Sequence, residues 1–293
     1  MILQGLLNRF SASGEQKIGD RGHVIYALLV LAGLVVAYYD TLRWMYERFI
    51  SPDTYYSHGF LVPFVSLFFI WQDREHLRTL PMTTGWWGLA LIFFAILLHL
   101  FGTVIYIFSV SGFSIFFLVV GIAVFLCGPT ISRAIWFPLA FLSLMFPLPS
   151  AVLNAISFPL KMFVAKAGAG IVSLLGIAVY REGFNITIPA GTLLVGNPCS
   201  GLRSLISFLA LGAVFAYSGT LAPYRKWILF ALTVPIAILS NLIRVPILIL
   251  VSHYYGLEAA GPETLVHTGS GILVFVLGFM LLLGFARLLE SKS

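Results

Sequence analysis

Three side chains that could act together in acyl transfer lie in the second half of the chain: a cysteine, an arginine and a histidine. Cys199 belongs to a short polar segment, Asn197-Pro198-Cys199-Ser200-Gly201, directly before an apolar run. Arg244 interrupts the next apolar run, and His267 precedes the last one. A thiol, a fixed positive charge and an imidazole supply a nucleophile, charge stabilisation and proton transfer. Together they predict nucleophilic attack on a carbonyl group.

The thiol of Cys199 needs help to react, because a free cysteine has a pKa of about 8.5 and only the thiolate is a good nucleophile. Amide groups at the start of the following helix favour the charged sulfur, and Arg244 would add a full positive charge. The alternative interpretation of Cys199 is a small apolar residue that packs at a helix start. The polar flanking residues favour the nucleophile. Cys127 lies in an unbroken apolar run, and we interpret it as a packing residue.

Arg244 is costly where it stands, because an ionisable side chain inside a membrane span usually faces the protein interior and usually has a function. Asn241, one helical turn earlier, could orient the guanidinium or donate a hydrogen bond to an oxyanion. His267 is followed by the small residues Gly269, Ser270 and Gly271, which allow close approach of a neighbouring helix or a peptide. The alternative for His267 is a hydrogen-bonded interfacial histidine.

Other candidate ligands and nucleophiles carry weaker signals. His58, His253 and His267 show no spacing typical of a metal site, so we predict neither a metal nor a cofactor. Ser200 and Ser270 are possible nucleophiles, but neither has an identifiable base. We assign His58 and Ser200 supporting roles, together with Asn241.

The composition defines the surroundings of these residues. Of 293 residues, 60% are hydrophobic and 10% are charged, whereas a soluble domain carries about 25% charged residues. We therefore predict one integral membrane domain over residues 1–293, an all-α polytopic bundle in contact with lipid. The net charge of +6 is scattered at the ends of apolar runs, which indicates membrane topology and makes nucleic-acid binding improbable.

Apolar runs predict about eight spans. They lie near residues 23–39, 59–71, 86–107, 111–128, 132–147, 201–218, 227–252 and 269–287. With eight spans, the loops richest in Lys and Arg fall on the cytoplasmic side, and Cys199, Arg244 and His267 all lie near the outer side. Residues 151–178 are long and apolar enough to cross, but Lys161 and Lys166 favour a helix in the outer interface. Residues 180–191 alternate apolar and polar and end in Pro and Gly, which predicts a short hairpin or extended loop.

Several short motifs, in this order, resemble the exosortase and archaeosortase family of membrane-embedded sorting enzymes over nearly the whole chain. They are Tyr56-Ser57-His58-Gly59-Phe60-Leu61-Val62-Pro63, Phe146-Pro147-Leu148-Pro149, Arg181-Glu182-Gly183, Pro198-Cys199-Ser200-Gly201-Leu202, Asn241-x-x-Arg244-Val245 and His267-Thr268-Gly269. Pro198 departs from the small residue expected before the cysteine.

The resemblance implies an active cysteine, an invariant arginine and a third basic residue, which match Cys199, Arg244 and His267. It implies the bacterial exosortase branch, in the inner membrane, with the active site facing the periplasm. The implied partners are secreted proteins with a C-terminal sorting signal of the PEP-CTERM type: a short motif, a transmembrane helix and a basic cluster.

We therefore expect a cysteine transpeptidase or protease that cleaves such signals. The rival hypothesis is a transporter or scaffold in which Arg244 binds an anionic group and Cys199 only packs. The recognition motif, the acceptor nucleophile and the oligomeric state are left open by the sequence.

Overall fold

The fold is all-α with one small sheet, as predicted, in a computed structural model that describes residues 20–51, 54–196, 201–261 and 263–290. These residues form two compact units, Met1–Ile50 with Pro63–Pro147 and Ser51–Val62 with Leu148–Ser293. The α-helices are α1 (Asp20–Ala37), α2 (Tyr39–Ile50), α3 (Leu61–Gln72), α4 (Arg74–Thr79), α5 (Trp87–Val104), α6 (Phe108–Ala134), α7 (Trp136–Phe141), α8 (Ser150–Leu174), α9 (Leu202–Ser218), α10 (Pro223–Tyr255) and α11 (Leu265–Glu290). Short 3-10 turns cover Ser57–Phe60, Leu142–Met145 and Leu257–Ala260.

Each of the eight predicted apolar segments is helical. Within the described residues, five helices are long and apolar enough to cross a membrane, namely α5, α6, α8, α10 and α11. A sixth span results if α1 and α2, which meet at an angle of 66°, form one broken span. Shorter apolar helices cover Ser57–Gln72, Trp136–Met145 and Leu202–Ser218. The chain is thus a polytopic helical protein, and the total of eight spans stays a prediction.

In the first unit, glycines bring α5 and α6 into close contact. A Cβ at Gly88 would lie 2.3 Å from the Phe125 nitrogen, and one at Gly102 would lie 2.6 Å from the Ser111 nitrogen. Small residues at such crossings let helix backbones approach in a membrane, where tight packing replaces the hydrophobic effect as the driving force.

A buried polar cluster lies close to the bend between α1 and α2. The Ser111 hydroxyl contacts the Thr41 hydroxyl at 2.6 Å and His99 Nδ1 at 2.7 Å, while the Tyr38 and Ser114 hydroxyls lie 2.9 Å apart. Because water is scarce in such surroundings, these groups satisfy one another.

In the second unit, α9, α10 and α11 pack against one another. The rings of Phe208 and Phe275 stack at 5.1 Å, and a Cβ at Gly278 would lie 2.3 Å from the Phe208 ring. At one end of the three helices, Arg225 donates to the Leu289 carbonyl at 2.7 Å and Lys226 donates to the Tyr217 carbonyl at 3.1 Å. Basic side chains therefore cap the carboxyl ends of α9 and α11, as the orientation of peptide dipoles favours.

The predicted extended loop is a three-stranded antiparallel sheet of β1 (Tyr180–Glu182), β2 (Asn185–Ile188) and β3 (Gly191–Leu194) in the order β1-β2-β3. In the register, Arg181 lies opposite Ile186, and Ile186 lies opposite Leu193. One face of the sheet packs on α8 and α10 through a buried cluster that includes Ile186, Ile188, Val195, Val164 and Val245. The alternation of apolar and polar residues predicted extended structure here but neither the third strand nor the packing on the helices.

Helix α8 is the segment for which an interfacial position was predicted. It is a continuous helix of 25 residues that contains Pro159, and Gly168 contacts α10, since a Cβ there would lie 2.8 Å from Val245 Cγ1. Lys161 Nζ lies 6.0 Å from the centre of the Phe184 ring in the β1–β2 turn. By length α8 is also a candidate span, so its place in the outer interface stays a prediction.

Candidate active site

A cavity of about 1000 Å³ opens in the second unit where α9 and α11 begin and where α10 is at mid-length. Strand β3 and the 3-10 turn Leu257–Ala260 complete its wall. The charged and hydroxyl-bearing residues among those that line it are Thr192, Arg203, Ser204, Ser207, Arg244, Glu263, His267 and Thr268. The cavity therefore combines positive charge with an apolar wall, which is the usual character of a site that binds part of a larger molecule.

Arg244 is held against α11. Its side chain is buried, with 9% of the residue surface exposed. Nε donates to the Ser270 hydroxyl at 3.3 Å, and a terminal nitrogen, Nη2, donates to the His267 carbonyl at 3.1 Å. Gly271 lies beside the guanidinium, since a Cβ there would be in ordinary van der Waals contact with Nη2 at 3.4 Å. The positive charge faces the protein interior and has a fixed direction, as the cost of exposing it to lipid requires.

His267 lies in the first turn of α11, and its main chain is fixed from both sides. Its N–H donates to the Thr264 hydroxyl at 3.2 Å, a contact typical of a helix N-cap. Its carbonyl accepts from the Ser270 hydroxyl at 2.8 Å as well as from Arg244. The buried Nδ1 of the imidazole has no hydrogen-bond partner among the described residues. The ring therefore retains a nitrogen that can accept or deliver a proton.

Asn241 packs against the start of α9. Its side chain is fully buried, and it lies one turn before Arg244 on α10. Gly201, the residue before α9, has φ of 77° and ψ of −7°, a left-handed conformation that glycine adopts without strain. A Cβ at Gly201 would lie 2.9 Å from Asn241 Nδ2. The contact fixes the backbone that directly follows Ser200.

Cys199 and Ser200 lie outside the described residues, and so do Asn197 and Pro198. The chain on either side of them is described: Gly196 lines the cavity, and Gly201 contacts Asn241. Arg244 and His267 thus line one cavity, and the segment that carries Cys199 begins at the wall of the same cavity.

The sequence of the chain matches a family model described as Transmembrane exosortase (Exosortase_EpsH) over residues 44–284. The chain belongs to the transmembrane exosortase family. Neither the curated proteins nor the solved structures contain a significant match. The exosortase family processes sorting signals of proteins in the membrane, and membership implies a membrane cysteine transpeptidase or protease.

Asn241 and His58, for which supporting roles are predicted, both lie among the described residues of this exosortase. Asn241 contacts the segment that leads into α9, as described above. His58 lies in the 3-10 turn Ser57–Phe60, with its ring centre 6.2 Å from that of Tyr56. The Tyr56 hydroxyl accepts the Leu148 amide at 3.0 Å. His58 is not among the described residues that line this cavity, and its supporting role stays a prediction.

Arg203 is a residue of the exosortase cavity that the sequence analysis missed. It is the second residue of α9 and lines the cavity together with Arg244 and His267. Both arginines are close enough to His267 to act on it electrostatically. The available signal was the same as for Arg244: an arginine within an apolar helix, here four residues after Cys199.

Within the described part of the exosortase chain, no three His, Cys, Asp or Glu side chains come together in a way that could hold a metal ion. Two guanidinium groups, an imidazole and several hydroxyl groups are suited to binding a polarised carbonyl and a developing negative charge.

Proposed function

We propose that this exosortase is a cysteine transpeptidase or protease that cleaves the C-terminal sorting signals of secreted proteins of the PEP-CTERM type. In the proposed reaction, the Cys199 thiolate attacks the carbonyl carbon of the scissile peptide bond. The C–N bond breaks, the amine leaves with a proton from His267, and an acyl thioester forms on the sulfur. A second nucleophile, an amine or water, then attacks the thioester and releases the thiolate.

Arg244 supports this mechanism because its direction is fixed before substrate binds. Its guanidinium contacts the Ser270 hydroxyl and the His267 carbonyl, so it does not need to reorganise when charge develops on the thiolate or on the carbonyl oxygen. Preorganised charge in a water-poor site is usually the largest contribution to catalysis of acyl transfer. This arrangement of Arg244 and His267 is the observation on which the proposal mainly depends.

His267 is the proposed proton carrier. Its buried Nδ1 is without a partner among the described residues, and its main-chain contacts keep the residue in place at the cavity wall. The imidazole would take the thiol proton and give it to the leaving amine, the two roles that one histidine performs in the analogous cysteine and serine enzymes.

The position of the basic residues supports a site on the periplasmic face of the inner membrane. Arg225 and Lys226 lie at the opposite end of the α9–α11 bundle from the cavity. Arg244 follows Arg225 by 19 residues on α10, which corresponds to about 28 Å of helix, close to the thickness of the hydrocarbon layer of roughly 30 Å. Because basic residues favour the cytoplasm, the cavity would face the periplasm, where the motif of a secreted protein remains.

The deciding experiment replaces the sulfur. Cys199→Ala and Cys199→Ser are expressed with a tagged reporter that ends in a PEP-CTERM-type signal, and Cys127→Ser is the matched control. We expect both Cys199 variants to leave the reporter unprocessed and the control to process it, with the new C-terminus identified by mass spectrometry. Processing by Cys199→Ala at the wild-type rate would refute the mechanism. The transporter or scaffold hypothesis, in which Arg244 binds an anionic solute, predicts instead a Cys199 that does not react with a permeant alkylating reagent.

A further inference from the structure

Strand β3 has an open edge. It is the last strand of the sheet and pairs with β2 alone. The Val195 amide donates to the Phe184 carbonyl at 3.0 Å, which sets the alternation along the strand. In an antiparallel pair every second residue directs its N–H and C=O toward the partner strand. Leu193 and Val195 therefore face β2, and the main-chain groups of Thr192 and Leu194 point away from it.

These outward main-chain groups lie at the cavity. Thr192, Leu193, Leu194 and Gly196 all line it. Among the described residues, none forms a main-chain hydrogen bond with the outward N–H and C=O groups of Thr192 or Leu194. An edge that carries unpaired main-chain groups is a template for another extended chain.

The surroundings of β3 show where a paired chain would lie. Leu257 packs over the face of the sheet at Gly191, since a Cβ on Gly191 would lie 2.5 Å from Leu257 Cδ1. Strand β3 ends at Leu194, and Gly196, two residues later, also lines the cavity. Cys199 follows Leu194 by five residues in the sequence. A chain that pairs with β3 would therefore lie in the cavity that Arg244 and His267 line.

We infer that β3 binds the substrate by strand addition: the extended segment that precedes the substrate's transmembrane helix pairs with the main chain of Thr192 and Leu194. This inference rests on the proposed function and adds to it the way in which the peptide is held. Main-chain pairing gives affinity with little dependence on side chains, and it presents the peptide in the extended form in which a scissile carbonyl is accessible. Up to about four hydrogen bonds are available from two outward residues of an antiparallel or parallel pair.

Strand addition predicts a specific pattern on the substrate. Successive residues of the bound segment direct their amides alternately toward β3 and away from it, so that only every second amide contributes. We would measure cleavage of synthetic peptides that span the motif and the first turn of the following helix, each with one backbone N–H replaced by N–CH3. We expect the rate of cleavage to fall by about tenfold when the N-methyl group is at alternate positions, since each such group removes one hydrogen bond and blocks the approach of the strand.

The enzyme side of the test uses proline, which removes an N–H and is tolerated on the open side of an edge strand. Full-length Thr192→Pro and Leu194→Pro are each compared with the alanine variant at the same position, which keeps the N–H. We expect cleavage by each proline variant to fall at least about tenfold below its alanine counterpart. If a proline variant does not accumulate in the membrane, the N-methyl series on the wild-type enzyme decides.

Three outcomes separate the two proposals. Strand addition is supported if N-methylation slows cleavage at every second peptide position and if the proline variants cleave more slowly than their alanine counterparts. Uniform or absent sensitivity, in an enzyme that Cys199→Ala inactivates, overturns strand addition and leaves the thiol mechanism intact. Cleavage that persists in Cys199→Ala overturns the thiol mechanism itself. Strand addition is then overturned as well, because it was inferred as the way in which the substrate of that mechanism binds.

Discussion

The guanidinium of Arg244 donates a hydrogen bond to the main-chain carbonyl of His267 at 3.1 Å, joining the middle of α10 to the first turn of α11. Because the acceptor is a main-chain atom, the contact leaves the imidazole available for other partners. The same arginine contacts the Ser270 hydroxyl one turn later. The atoms that hold the guanidinium, the His267 carbonyl and the Ser270 hydroxyl, are thus different from the ring atoms that would transfer a proton.

Arg244→Lys should abolish most processing while it preserves the charge. A lysine ammonium lacks the planar fork with which Arg244 contacts the Ser270 hydroxyl and the His267 carbonyl at once. We expect cleavage of the tagged reporter to fall by about 100-fold or more, as when one oxyanion donor is lost. Arg225→Lys is the matched control, since Arg225 lies at the far end of α10. Equal activity in the two variants would argue against a geometric role for Arg244.

His267→Gln should separate catalysis from stability. The main-chain hydrogen bonds of His267, to Thr264, Ser270 and Arg244, survive a change of side chain, whereas the hydrogen bond between the ring and the Ala260 main chain is lost. We expect the melting temperature in detergent to change little, while single-turnover cleavage slows by roughly 100-fold to 10,000-fold through loss of proton transfer. A variant that keeps wild-type cleavage would remove His267 from the mechanism. A variant that unfolds would show that the ring itself stabilises α11.

Arg203 should raise the reactivity of the cysteine. A positive charge nearby stabilises a thiolate, so its removal lowers the thiolate fraction at neutral pH. In a Cys127→Ser background, in which Cys199 is the one cysteine left in the chain, we expect Arg203→Gln to slow alkylation by a small permeant reagent. The midpoint of the rate against pH should move to higher pH. Arg181→Gln, a change of a half-buried arginine on β1 that does not line the cavity among the described residues, serves as the comparison. Identical curves would assign Arg203 to substrate binding alone.

Ser111 should contribute to the stability of the first unit and not to chemistry. Its hydroxyl contacts both Thr41 and His99, so Ser111→Ala removes that partner from the buried Thr41 hydroxyl and from the half-buried His99 ring, which keeps its hydrogen bond to the Ala37 main chain. Loss of such a partner costs about 1–3 kcal/mol for each group left unsatisfied. We expect a lower melting temperature in detergent and an unchanged processing rate per folded molecule. Ser143→Ala, which removes a hydroxyl bonded to its own helix at the Ala140 carbonyl, should be close to neutral.

The helical, membrane-embedded character of the fold was predictable because it depends on average hydrophobicity. Every apolar run became a helix, and the alternating pattern after Val179 became a sheet. Helix α2 does not correspond to any of the eight predicted apolar segments. It contains the charged residues Asp40, Arg43 and Glu47, whereas Thr41, Met45 and Phe49 recur at helical spacing and are its buried residues. For α2, the spacing of four residues between Thr41, Met45 and Phe49 indicates a helix better than the composition of the segment does.

The sequence predicted only that Arg244 and His267 lie at a similar depth in the membrane, and not that they are in contact. Sequence gives the depth of a residue in a span but not the direction in which it faces, because rotation about the helix axis depends on packing. Here that rotation is fixed by close contacts such as Gly278 with Phe208. For Arg203 the sequence likewise shows an arginine in an apolar helix, but not that it faces the cavity.

Gly201→Ala should damage the site through the backbone. Alanine at φ of 77° is strained, by roughly 1–2 kcal/mol, and its Cβ would meet the Asn241 amide at 2.9 Å. We expect a lower melting temperature and a loss of processing, because this backbone directly follows the segment of Cys199. Adding Asn241→Ala should relieve the steric part and recover some stability, but not the part due to φ. Gly170→Ala on α8, where a Cβ meets nothing within 4 Å, is the control and should be neutral or stabilising. If Gly201→Ala were equally harmless, Asn241 would have no role in fixing the backbone before α9.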